Sequence, residues 1–414
     1  MRQLSKTLAP GEQTLDATIL AVLGRPYVAR AGSWLIAYFA VMALFFGVVF
    51  VEQLATSRLL PVLALLILLH LALYPRLFMV REIWLYGAFV AYMGIALLWT
   101  ADIQTALNTM FPAVDFLLSQ ILIAALLRFH DRRAVLRGMI AGFMSASIIH
   151  TMATGFPFAI AVSFSYNAVA LVYIFGLFLV ILYGCVFHAR TFATPLALVM
   201  LLHVVATTSI KANLGVVAGA LIAAIVYVSV AMQLVRRNIG LIVLALVAIG
   251  YVIATNEAIL DRMQYALHRL EVGIQVLEAR EDVQGYSGFN ERNEWMQLAI
   301  EGMKDNPLFG NGVEAFRAKY GVTSHSTAGD LLYNVGLIGC TLFYLTFISL
   351  GLRLLTPSAS DSQAIRATIL ATLVCFLSMT FSGTIFYHPL LGAFLTVSAC
   401  VLHGTAIDRR SEQS

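Results

Sequence analysis

Ser324-His325-Ser326-Thr327-Ala328-Gly329-Asp330 marks the point where the one long polar stretch of this chain turns into an apolar run at 331–352. Before it, residues 256–326 hold 18 of the chain's 48 charged residues. Everywhere else, apolar runs are joined by short basic connectors. Of the 414 residues, 60% are hydrophobic and only 12% are charged, and mean hydropathy is +0.86. Soluble domains carry about 25% charged and about 45–50% apolar residues. A chain this apolar could not cover itself with a water-compatible surface, so its solvent is lipid. Backbone polar groups in lipid must pair within their own segment, which selects helices. The expected fold is an all-α polytopic integral membrane protein.

Twelve apolar runs follow, at 32–51, 59–74, 83–100, 111–127, 138–154, 167–187, 192–209, 212–234, 239–255, 327–352, 367–384 and 388–405. Each approximates the roughly 20 residues that cross a hydrocarbon core about 30 Å thick. No cleavable signal is expected, and the short segment 15–23 reads as interfacial. The four cysteines lie inside apolar runs without metal-ligand spacing and read as small core residues.

Basic residues set the orientation. With the N-terminus inside, seventeen of the 26 Lys and Arg fall on the inner side. Outside the long loop, only Arg58 and Lys211 fall on the other. The expected organisation is therefore a cytoplasmic or interfacial stretch at 1–31 and nine spans within 32–255. A periplasmic loop at 256–326 carries the functional residues, three spans occupy 327–405, and a cytoplasmic tail runs from 406 to 414. That places the chain in a bacterial inner membrane with both termini in the cytoplasm.

The loop is the natural place for chemistry on a charged lipid head group. Leu267, Leu270, Ile274 and Leu277 recur at helical spacing, so 265–281 reads as an amphipathic helix. Glycines at 285 and 288 break it, and a second helix is expected over 290–304. Asp305-Asn306-Pro307 stops that helix and Gly310-Asn311-Gly312 makes a turn.

Several ordered pieces now carry a resemblance. They are Arg292-x-x-Trp295; Asn306-Pro307-Leu308-Phe309-Gly310-Asn311-Gly312 with Phe316; His325; and Asp330-Leu331-Leu332-Tyr333-Asn334-Val335-Gly336-Leu337-Ile338-Gly339. Upstream, Leu98-Trp99-Thr100 and Thr208-Ser209-Ile210-Lys211 fit the same order. The set resembles the shared signature of bacterial O-antigen ligases and O-antigen or exopolysaccharide polymerases. Its specific part covers about residues 289–340, and one departure is Ser326, where members of the family commonly have Asn.

The resemblance implies a glycosyltransferase, and the lack of an Asp-x-Asp motif or a metal-ligand spacing of histidines in the sequence points to metal-independent chemistry without a cofactor. Such an enzyme would take a glycan from an undecaprenyl-diphosphate carrier to an acceptor glycolipid on the periplasmic face. The acceptor is a carrier-linked repeat for a polymerase, or lipid A core for a ligase. Chain-length regulators or export proteins are the further partners it implies, with no nucleic acid. Such chemistry needs cations on the departing diphosphate, and arginine binds phosphate oxygens through a planar fork that stays charged. It also needs a group to take up or position the proton of the acceptor hydroxyl. On this basis Arg292 is assigned to catalysis and the diphosphate, against a solvated arginine paired with Glu291 or Glu294. His325 is the base or the group that positions the acceptor. Arg269 and Lys211 are further diphosphate ligands, with a surface arginine and a snorkelling lysine as the plain alternatives.

Arg262, Arg280, Arg317 and Lys319 read as a solvated basic face. Asp115, Asn167 and His388 read as interhelical hydrogen-bonding groups or cavity-lining ones, and His70, His150, His188 and His203 are scattered along the chain. A transporter is the reading from another class. Such folds show broken helices in two related halves, and no half-repeat is visible in this sequence.

Overall fold

The computed structural model describes residues 26–49, 59–155, 166–207, 209–229, 287–355, 363–380 and 388–408, with scattered positions between 232 and 271. Among these residues the structure is helices joined by turns and short irregular segments, without strands. The helices are α1 (Pro26–Val49), α2 (Leu59–Leu73), α3 (Arg81–Ala96), α4 (Ile103–Phe129), α5 (Arg132–Thr154), α6 (Tyr166–Val186), α7 (Arg190–Ala206), α8 (Ile210–Val226), α9 (Ser287–Met303), α10 (Ala315–Tyr320), α11 (Thr327–Leu355), α12 (Gln363–Thr380) and α13 (Pro389–Asp408). Seven are long and apolar enough to cross a bilayer, and four shorter apolar helices fall at Leu60–Leu73, Thr191–Ala206, Lys211–Val226 and Pro389–His403. The ninth expected span, 239–255, lies mostly outside the described residues. Every described position from 239 to 271 is helical and exposed, those at 267, 268 and 271 falling in the stretch where a loop helix is expected over 265–281.

Helix starts follow local chemistry. Asp102 caps α4, its carboxylate accepting from the Thr105 amide at 3.1 Å. Asp131 caps α5 by accepting from the amides of Arg133 and Ala134. Each satisfies amides that the first helical turn leaves unpaired.

Close packing then assembles the bundle. Helix α1 runs along α5, α8 along α12, α4 along α13, and α3 along α11. Two crossings depend on the absence of side chains. A Cβ on Gly138 or Gly142 would run into the backbone carbonyls of Trp34 and Tyr38, and one on Gly219 would strike the Ala371 carbonyl. Small residues four apart let helix backbones meet, which is how spans associate where lipid offers no hydrophobic drive. Phe45, Phe116, Phe143, Tyr173, Phe178 and Phe376 fill the interior beside these contacts, all under 2% exposed.

Helix α11 departs from expectation. The sequence reads 327–352 as one span, yet Gly336 has φ 63 and ψ −166, and the helix breaks there into two segments. That region of backbone space is essentially reserved for glycine.

Candidate functional site

The break in α11 and the 306–312 turn form one structure. In an unbroken helix the amides of Leu337 and Ile338 would bond to the carbonyls of Tyr333 and Asn334, four residues earlier. Here the turn takes all four groups. Asn311 and Gly312 donate to the Tyr333 and Asn334 carbonyls, both at 2.9 Å. Leu337 and Ile338 donate to the Pro307 and Leu308 carbonyls at 2.9 and 3.2 Å. The Asn311 side chain adds bonds to the Gly302 and Tyr333 carbonyls at 3.0 and 3.2 Å. A Cβ on Gly310 would collide with Asn334, and one on Gly336 with Leu308 and Gly310. The glycines of the two motifs thus allow backbone to lie on backbone. Irregular backbone inside an apolar helix persists only where protein satisfies it, and here the turn does.

The Leu98-Trp99-Thr100 element joins the same assembly. Thr100 Oγ1 accepts from the Val313 amide at 2.9 Å. The Tyr92 hydroxyl donates to the Phe309 carbonyl at 3.2 Å, and Trp99 meets the Phe309 ring edge-on at 6.4 Å. Beneath the turn, Ala299, Phe316 and Tyr333 form a small separate core, with the two rings 5.1 Å apart and perpendicular. The Asn334 carboxamide oxygen accepts from the Phe316 amide at 2.9 Å, tying α10 to the break.

His325 lies at the entrance to α11 in left-handed backbone, φ 55. Its ring stacks on Trp295 of α9 at 4.9 Å and 30°. The residues around it are locked. Asp330, 3% exposed, accepts from the Ser324 amide at 2.8 Å. Ser324 Oγ donates to the Ser326 carbonyl at 2.9 Å. Ser326 Oγ accepts from the Gly329 amide at 3.3 Å, and its carbonyl from the Asp330 amide at 2.9 Å. Ser326 therefore caps α11, a role for which serine is among the preferred residues.

Glu314 is the residue that sequence reasoning missed. It is 5% exposed, has φ 58, and accepts from Thr109 Oγ1 of α4 at 2.8 Å. Burial pushes its pKa up, the Asp330 carboxylate pushes the same way, and the Thr109 hydrogen bond and Arg317 oppose. Left-handed backbone at a non-glycine residue costs of order 1–3 kcal/mol and collects at functional sites. The described non-glycine residues with positive φ are His188, Glu314 and His325, and two of the three sit here. Only the position of Glu314 after Gly310-x-Gly312 could have drawn attention to it.

The remaining expected residues separate. Arg292 lies one turn ahead of Trp295 on α9, and its side chain lies outside the described residues. Arg269, Arg262 and Arg280 also lie outside them. Lys211 is half-buried at the start of α8, after the Ser209 cap, and α8 packs chiefly on α12. Arg317 and Lys319 are exposed. Asp115 lies on α4 and His388 just before α13, neighbouring helices since Gly392 of α13 abuts the Phe116 ring of α4. Neither Asp115 Oδ1 nor the His388 ring has a hydrogen-bond partner among the described residues. The Asn167 side chain lies outside them.

The histidines pair in space although they are scattered in sequence. A ring nitrogen of His130 lies 3.1 Å from one of His70. Tyr173 sits between His150, 3.2 Å from its hydroxyl, and His203, stacked at 4.7 Å. No group of three or more potential metal ligands occurs among the described residues.

Together these elements define a helical, membrane-type protein with a docked turn, a broken helix and a histidine stacked on tryptophan at the entrance to that helix. No protein-family model matches the chain, and no curated protein matches it.

Proposed function

We propose that the protein is a membrane glycosyltransferase that moves a glycan from an undecaprenyl-diphosphate carrier to an acceptor hydroxyl on the periplasmic face. Polymerisation of O-antigen or exopolysaccharide repeats is the form of the reaction we favour. One observation carries this reading. The two stretches that bear the family resemblance, 306–312 and 330–339, interlock through backbone hydrogen bonds and set His325 on Trp295 beside buried Asp330.

In the reaction, the acceptor oxygen bonds to the anomeric carbon while the bond from that carbon to the diphosphate oxygen breaks. The hydroxyl proton passes to His325, and the carrier diphosphate leaves with its charge held by cationic side chains, Arg292 foremost. Stabilising such developing charge is usually the largest catalytic contribution. Stacking on Trp295 holds the imidazole in one orientation, so little ordering remains for the reacting complex.

A transporter is the second reading, favoured by the broken helix. Transport sites of that kind leave backbone groups open to substrate or ion, whereas four such groups here are occupied by the turn.

The test is turnover of a defined diphosphate-linked glycan by detergent-purified protein. His325→Ala should lower the rate by about 10²–10⁴-fold, the usual contribution of a general base. His325→Gln should be nearly as impaired if proton transfer matters and largely active if the residue only positions the acceptor. Arg292→Ala should cost on the order of 10²–10³ in rate, with Arg292→Lys recovering part. Supplying lipid A core in place of a second carrier-linked repeat tests the ligase form. Near-wild-type rates in His325→Ala and Arg292→Ala would refute the assignment.

A further inference from the structure

At the opposite end of the bundle lies a cavity of about 460 Å³ lined by Phe78, Met79, Val80, Arg81, Arg353 and His403. It is within the size range of small-molecule sites, about 300–1,000 Å³. Its charge is lopsided. Arg81 and Arg353 form part of the wall. Arg128 stacks over Phe78 with its guanidinium carbon 5.4 Å from the ring centre. The His403 ring lies 5.9 Å from the same Phe78 ring, so Arg128 and His403 meet at this wall, and Arg132 opens the next helix four residues on.

Against them stands one carboxylate. Glu82 is fully buried, and both its oxygens are taken by Arg353 at 3.2 Å, with Ser349 donating to one at 3.0 Å. Arg81 in turn donates to Ser349 Oγ at 2.8 Å. The nearby Asp131 pairs with Arg30 at 3.0 Å. Glu82 therefore neutralises one guanidinium and holds the wall in place, leaving positive charge in excess. The N-terminus of α3, at Arg81, adds the positive end of its dipole.

Phe78, Met79 and Val80 make the other half of the wall apolar, and Leu77 beside them is 45% exposed. The cations come from the ends of four helices: Arg81 opens α3, Arg128 closes α4, Arg132 opens α5 and Arg353 lies in the last turn of α11. All four thus stand where apolar spans reach the head-group layer. Basic pockets between membrane helices on the cytoplasmic side bind anionic head groups, and the charge bias of this chain assigns this end to the cytoplasm.

We propose that this cavity binds the phosphodiester head group of an anionic glycerophospholipid of the inner leaflet, with an acyl chain lying along Phe78, Met79 and Val80. A soluble phosphate would use the guanidiniums but leave the apolar wall idle. The site is independent of the glycan-transfer reading.

Full-length delipidated protein, titrated with phosphatidylglycerol or phosphatidylcholine and followed by native mass spectrometry and Tm, tests the proposal. Phosphatidylglycerol should be retained and raise the Tm; phosphatidylcholine should not. Arg81→Gln and Arg128→Gln should each weaken retention roughly fivefold, since a basic residue near an anionic lipid surface contributes about that factor. Arg353 is left intact because Glu82 depends on it. Arg137→Gln is the control, its guanidinium being engaged by the Tyr183 hydroxyl at 2.6 Å on another face of α5. Equal retention of the two lipids, no loss in the double variant, or an equal loss in Arg137→Gln would overturn the proposal. So would inorganic phosphate that displaces the lipid at matching concentration.

Discussion

Gly336→Ala should undock the 306–312 turn without unfolding α11. At φ 63 and ψ −166, alanine meets a strain of order 1–3 kcal/mol. Its Cβ would also stand 2.5 Å from the Leu308 carbonyl oxygen and 2.6 Å from the Gly310 nitrogen, both immovable backbone atoms. The chain has a way out. If the helix closes through residue 336, the Leu337 and Ile338 amides regain the Tyr333 and Asn334 carbonyls, while the four bonds to the turn are lost. The balance is two hydrogen bonds, about 2 kcal/mol at about 1 kcal/mol each. That corresponds to about a 30-fold rise in exposure of the turn. Hydrogen exchange read by mass spectrometry separates the two sides. Amides of Asn311 and Gly312 should exchange about 30-fold faster, whereas those of Leu337 and Ile338, helical in either state, should stay protected. Unchanged protection at Asn311 and Gly312 would refute the account of the break as a docking device.

Glu314 gives a pH signature. Its pKa is raised above the ordinary 4.5 chiefly by burial, so its contribution to stability is complete below that value and is lost as pH rises through the folded-state pKa. Thermal melts of the wild type should show that decline, and Glu314→Gln should flatten it; an identical slope in both would exclude Glu314 as its source. Arg353→Ala strands the fully buried Glu82 charge and should cost about 3–5 kcal/mol, with Glu82→Gln/Arg353→Met recovering most of it by denaturant titration. Reporter fusions at Asn238 and after Ser414 should be cytoplasmic and one within 282–287 periplasmic, and a cytoplasmic signal from the last would invert the orientation.

Hydropathy by itself determined that this chain is a helical membrane protein, because lipid leaves the backbone no other way to pair. Composition and spacing also located helix α9 to within a few residues, since Asp305-Asn306-Pro307 is a local stop signal that needs no tertiary contact. The same signals could not show the break at Gly336. Glycine is common in membrane helices, and only the partner backbone at 307–312 makes an open helix cheaper than a closed one. Nor could they single out Glu314, whose meaning comes from Thr109 and Asp330, neighbours 205 residues before it and 16 after. His325 was legible as a candidate from its place at the loop boundary. Its stacking on Trp295 and its locked surroundings were decided by how α9 lies on α11, a matter of side-chain packing between distant segments that no local pattern encodes.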